Sequence, residues 1–259
     1  MNESTPTPPP EISTPAPMSL GARLTNVFVS PGEVFDAVKV GKPDNANWLA
    51  PLGLACVLGV IFTLVVFSQD TIVRSLQETQ EKQIQKKIDA GKMTKEQGQQ
   101  ALEAIEKFAG PAMIKITGSI GAVVFNFIML FFVALVLWLM GKWLFKARFS
   151  YMQAVEVSGL ATMISVVGGI VTMLLIVAMG NLMATPGPAL FIRELSDTNT
   201  LHQALSAINV ATLWYIAVLA IGLARLSGAS VAKAALWLYG LWAVLVGGML
   251  FVKTMVTGG

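Results

Sequence analysis

The chain is poor in charge, in cysteine and in histidine, and each shortage closes off a class of function. Charged side chains make up 13% of its 259 residues against 54% hydrophobic ones. A soluble domain carries roughly 25% charge, so the composition excludes an ordinary water-soluble fold. The single cysteine, Cys56, lies inside an apolar run, which rules out an internal disulfide and leaves it a small buried apolar group. His202 is the one histidine and has no cysteine near it, so a zinc site lacks ligands and His202 reads as a polar loop residue. None of the five aspartates falls in a predicted span, which excludes an intramembrane aspartyl protease. Gly-x-Ser-x-Gly, His-Glu-x-x-His and the phosphate-cradling glycine–lysine motif are all missing, and no intramembrane histidine is available to activate Ser158. The expectation is a non-enzymatic chain with no cofactor and no metal. The net charge of +3 comes from scattered basic residues, so nucleic acid is not an expected partner.

What the chain has in quantity is long apolar segments. Between Ile208 and Ala224 the one strongly polar side chain is Asn209, and at 1.5 Å per residue such a helix crosses most of a hydrocarbon core roughly 30 Å thick. The same reading gives five spans, at 48–68, 116–140, 153–180, 206–224 and 234–251. Trp48 opens the first at the interface, with Pro51 in its first turn. The fold class is therefore all-α: a polytopic five-helix transmembrane bundle, with membrane lipids as its first partner.

Residues 1–18 hold six prolines among Ser and Thr, too little apolar surface to offset the entropy of ordering, and are expected to be a disordered tail. No basic start followed by a short apolar core and a cleavage site is present, so the first span is expected to serve as its own insertion signal. Residues 19–47 read as two short amphipathic helices. Leu20, Leu24, Val27 and Phe28 share one side of the first, with Arg23 available to the other. Ser30, Pro31 and Glu33 have capping-box spacing at the start of the second, whose apolar face is Val34, Phe35 and Val38. Both helices are expected either on the membrane surface or against the underside of the bundle. The insert 69–112 has seven basic and seven acidic residues and the pattern of a helical hairpin. Gly91 ends the first arm, Thr94 and Gln97 cap the second, Ala101, Leu102, Ile105, Phe108 and Ala109 line one face, and Gly110-Pro111 stops it.

Lys142, Lys146 and Arg148 follow the second span, and Arg225 and Lys233 flank the turn after the fourth, whereas the segment after the third carries Arg193 with Glu194 and Asp197. The excess of cations places the amino end in the cytoplasm and the carboxyl end outside. Small residues recur at Gly159, Thr162, Ser165, Gly169 and Thr172, and at Gly240, Ala243 and Gly247, which points to close helix packing in a bundle or a homodimer. Glu156 is the charged residue inside a span, with Gln153 three residues earlier on its face. Arg225 and Lys233 are predicted at the same membrane face, so a charge clamp on Glu156 and a proton or ligand site are both open. Asn126 and Asn209 are expected to bond across helices.

The order LTNVFVSPGEVFDAV, WLAP, FSYMQAVEVSGL and LHQALSAINVATLWYIAVLAIGLARLSGASVAKA, over about residues 20–252, resembles the bacterial branch of the Yip (Ypt-interacting protein) domain family. The charged hairpin with its GKMTKEQGQQAL turn is similar to bacterial members. The resemblance implies five spans with the amino end in the cytoplasm, here of a bacterial inner membrane. Eukaryotic relatives are linked to small GTPases and vesicle traffic, a role that does not carry over. The family has no accepted catalytic residues, so Ser30, Pro31, Phe35, Trp48, Tyr151, Trp214 and Gly222, picked out by the matched signatures, are structural candidates first. Two functions stay open: an organiser of membrane-protein partners or lipids, and a small-molecule or ion transporter or channel using Glu156.

Overall fold

The computed structural model describes residues 18–192 and 205–257, without the side chains of 108, 109, 253, 254, 256 and 257. Residues 1–17 of the proline-rich tail, His202, Arg193, Glu194 and Asp197 lie outside the described residues, as do the side chains of Phe108 and Ala109. Among the described residues there is no strand. Two short helices, α1 (Leu20–Asn26) and α2 (Pro31–Val40), precede α3 (Ala46–Val66). The hairpin α4 (Asp70–Asp89) and α5 (Lys95–Ala109) leads into α6 (Pro111–Trp143), followed by α7 (Tyr151–Met179), α8 (Val210–Ser227) and α9 (Val231–Thr257). Helices α3, α6, α7, α8 and α9 are long and apolar enough to cross a membrane, and the protein is an integral, multi-pass membrane protein in contact with lipid.

Helix starts follow local chemistry. Thr94 with Gln97, and Ser150 with Gln153, form reciprocal capping boxes at α5 and α7. The box expected at Ser30 is not made: Ser30 is the N-cap of α2 with Pro31 in the first turn, but its hydroxyl makes no cap bond. Its ψ of 54° departs from the 156–163° of Ser19, Thr94 and Ser150, which aims the hydroxyl away from the N3 amide. Pro111 starts α6 rather than merely stopping α5, because proline is well suited to a first helical position. The resulting 33-residue helix, about 50 Å long, begins on the hairpin side and outruns the span predicted from Ile116. Pro51 is inside α3, not in its first turn, since that helix already starts at Ala46.

Helix α7 is the centre, touching α3, α6, α8 and both short helices. Glycine permits the tightest approaches. A Cβ on Gly159 would lie 2.5 Å from the Trp48 Cα, and one on Gly222 would collide with Val157 and sit 3.3 Å from the Phe35 ring. Helix α2 buries Val34, Phe35 and Val38 there, so its apolar face is covered by the bundle, mainly α8, and not by lipid. A second, smaller cluster of Val66, Ile72, Ile176 and Ala184 closes the opposite end, where α4 starts. Helix α9 buries Ala234 and Leu238 in the core, with Ala235, Tyr239 and Trp242 packed against it, and is largely open elsewhere, with 6% of its apolar window buried. Gly240 and Gly247 meet no other helix among the described residues, so at these glycines the stripe does not serve the first of its two expected uses, packing within the bundle, and the second, a homodimer, is not tested by a single chain.

Candidate functional site

A buried polar chain joins α1, the start of α3 and α7. The Ser150–Gln153 cap fixes the first turn of α7, and the free Gln153 Nε2 donates to the Lys39 carbonyl at 3.0 Å. Glu156 follows one turn on and is 1% exposed, as is Asn47 of α3. Asn47 Nδ2 donates to Glu156 Oε2 at 2.6 Å, while Asn47 Oδ1 accepts from Arg23 Nη1 at 2.9 Å. The same guanidinium nitrogen reaches Asp44 Oδ2 at 3.1 Å. The amide of Asn47 thus turns its oxygen to a cation and its N–H to a carboxyl, the orientation in which its dipole favours both. Glu156 Oε1, Ser158 Oγ and Arg23 Nε are buried without a hydrogen-bond partner among the described residues, a costly arrangement in an apolar setting.

The expected clamp of Glu156 by Arg225 and Lys233 is not formed. Val157 faces Gly222 of α8, and the preceding residue on a helix points about 100° away, which turns Glu156 toward Asn47. Arg225 instead pairs with Asp36 of α2 at 3.1 Å, both side chains about half exposed, and its carbonyl accepts from Lys39 Nζ at 2.8 Å. Lys233 is exposed on the first turn of α9. Asn126 donates to its own helix at the Ala122 carbonyl, 2.8 Å away, and borders a gap of about 160 Å³ between α3, α6 and α7 that keeps it from a cross-helix partner. Asn209 is the N-cap of α8, accepting from Ala211 and Thr212, because Val210 is already tied to the Pro186 carbonyl and the helix begins there.

The aromatic candidates frame the polar chain. Tyr151 donates to the Phe131 carbonyl at 3.0 Å and stands edge-on to Trp138. Trp48 packs edge-on to Phe131, with its indole N–H on Asn45 Oδ1 at 3.1 Å. Trp214 stands edge-on to Phe28 of the segment after α1, ring centroids 5.7 Å apart. Sequence reasoning missed Arg23, Asp44 and Asn47. The one available signal was Asp44 and Asn47 at three-residue spacing directly before Trp48, where a span was already expected to start.

Among the described residues no three His, Cys, Asp or Glu side chains converge to hold a metal. The arrangement joins three helices through a guanidinium, an amide and a carboxyl, and presents no nucleophile–base pair. Neither a curated protein nor a solved structure matches the chain. The Yip1 domain model matches residues 25–252, and with the five apolar helices behind it, the chain belongs to the Yip1 domain family.

Proposed function

We propose that the protein is a non-enzymatic organiser of the bacterial inner membrane, a member of the family's bacterial branch, that recruits a membrane-protein partner through its extramembrane hairpin. The observation that carries this reading is the incomplete seam of α4 and α5. Gly98 lets the two arms meet over Ile84 and Ile88, yet further along α5 Leu102 stays 36% exposed and Ile105 half-buried. An apolar stripe on a charged hairpin held outside the bundle suits a protein partner better than lipid. The gathering of Arg23, Lys39, Lys142, Lys146, Arg148 and Arg225 at the α1–α2 end supports a cytoplasmic amino end, with the hairpin and the carboxyl end outside.

A photocrosslinker at Leu102 of the full chain in native membranes is expected to capture a recurrent partner, lost on Ile105→Lys. Capture identical to that from a probe at Lys82, an exposed position on α4, sinks the reading. The transporter alternative draws support from the unpartnered Glu156 Oε1. Flux in liposomes that is abolished by Glu156→Gln, with the bundle intact, would replace the organiser with it.

A further inference from the structure

An open apolar cleft lies on the membrane-facing surface, between the end of α6 and the first half of α9. Met140 and Leu144 form one wall, and Trp237, Leu241 and Val244 the other. Gly240 leaves open space at its floor, with no atom of another described helix within 4 Å of where a Cβ would sit. The volume of about 520 Å³ lies in the range of pockets that hold a single small ligand, about 300–1,000 Å³. In a bilayer such a cleft is filled by a hydrocarbon chain, which alone does not distinguish one lipid from another.

The charge at its mouth does distinguish. Lys233 precedes Leu236, Trp237 and Gly240 by three, four and seven residues, so it shares the cleft face of α9 and stands at its polar end. It is exposed and takes part in none of the ion pairs among the described residues. The first turn of α9 holds no acidic residue, and although Ser230 takes the N–H groups of Lys233 and Ala234, the helix dipole adds positive potential beside the lysine. Lys142 lies on the opposite side of α6 from Met140, over the Trp138 ring at 4.8 Å, and does not contribute.

We infer that this cleft is a binding site for an anionic phospholipid, one acyl chain lying along Gly240 and the phosphate at Lys233 and the start of α9. The site is independent of the hairpin and of its partner. The test is native mass spectrometry of the full chain released from nanodiscs of equal phosphatidylglycerol and phosphatidylcholine. Phosphatidylglycerol should be retained preferentially, Lys233→Ala should reduce the preference roughly fivefold, and Lys142→Ala should leave it unchanged. Gly240→Leu, placed in open space and so compatible with folding, should reduce retention of both lipids. Equal retention of the two lipids, or a preference that survives both Lys233→Ala and Gly240→Leu, overturns the inference. So does a stable dimer that buries Trp237 and excludes lipid.

Discussion

Asn47→Ala is the sharpest perturbation the polar chain offers, because one truncation removes two hydrogen bonds. It strips the donor from Glu156 Oε2 and the acceptor from Arg23 Nη1, at a site where Asn47 and Glu156 are both 1% exposed. Polar contacts inside membrane bundles average about 0.6 kcal/mol, which sets a floor of roughly 1.2 kcal/mol for two. Hydrogen bonds to ionised groups are worth about 1.5–3 kcal/mol and leave a buried orphan when broken. The near-complete burial and the 2.6 Å bond place the expected loss nearer the upper value, about 3 kcal/mol. Glu156→Gln retains an acceptor for Asn47 and should cost less, about 1 kcal/mol. In that background Asn47→Ala should fall to about half its single-mutant cost, a coupling detectable by a double-mutant cycle. The assay is reversible unfolding in detergent, paired with thiol labelling of Val27→Cys in a Cys56→Ala chain. Val27 is fully buried and, as the C-cap of α1, donates its N–H to the Arg23 carbonyl, so loosening of α1 should expose it. A loss below about 1 kcal/mol, or strict additivity with Glu156→Gln, would refute the reasoning.

Gly222→Leu should destabilise the bundle by several kcal/mol, of order 3, since its side chain would occupy space held by Val157 and Phe35; an unchanged unfolding midpoint would count against the close packing of α2, α7 and α8. Glu96 is held below the usual carboxylate range by a hydrogen bond from its own backbone N–H and, second, by the Thr94 hydroxyl. A carboxyl with a lowered folded pKa favours the folded hairpin above its ordinary value and loses that contribution as pH falls through the lowered one; carboxyl NMR should show the depressed midpoint, and Thr94→Ala should raise it. Cysteines placed at Lys95 and at Lys146 in a Cys56→Ala chain should react with an impermeant reagent from opposite sides of the membrane, and labelling of both from one side would reject the orientation.

The five long helices were legible because a membrane span is a statement about composition and length, and both are local. So were the hairpin and its Thr94 cap, where residue type and spacing carry the chemistry. The partner of Glu156 was not legible, because it depends on the direction in which α7 turns that side chain, and Gly222 beside Val157 decides it. Charge alone favoured Arg225, but Asp36 on α2 holds that guanidinium at the rim. Asn209 misled for a related reason: an amide at the edge of an apolar run reads as buried until the loop bond from Val210 to Pro186 shows that the helix begins one residue later.

The polar chain and the open cleft have one physical origin. In lipid, apolar side chains gain little by leaving one hydrocarbon surface for another, so helices hold together through close packing and polar links. Helix α7 has both: Gly159 admits the backbone of α3, Gly168 admits Ala211 of α8, and Glu156 reaches Asn47. Helix α9 is tied to α8 by a bond from the Tyr239 hydroxyl to the Leu213 carbonyl, and its glycines from Gly240 on meet no other helix among the described residues. Its apolar surface therefore stays with lipid, and the gap against α6 persists because no glycine fit or polar contact draws the two helices together. A substitution that supplied such a contact would close the cleft, and the loss of bound lipid would then come with a change in helix spacing, measurable as a shortened distance between spin labels at Leu144 and Val244.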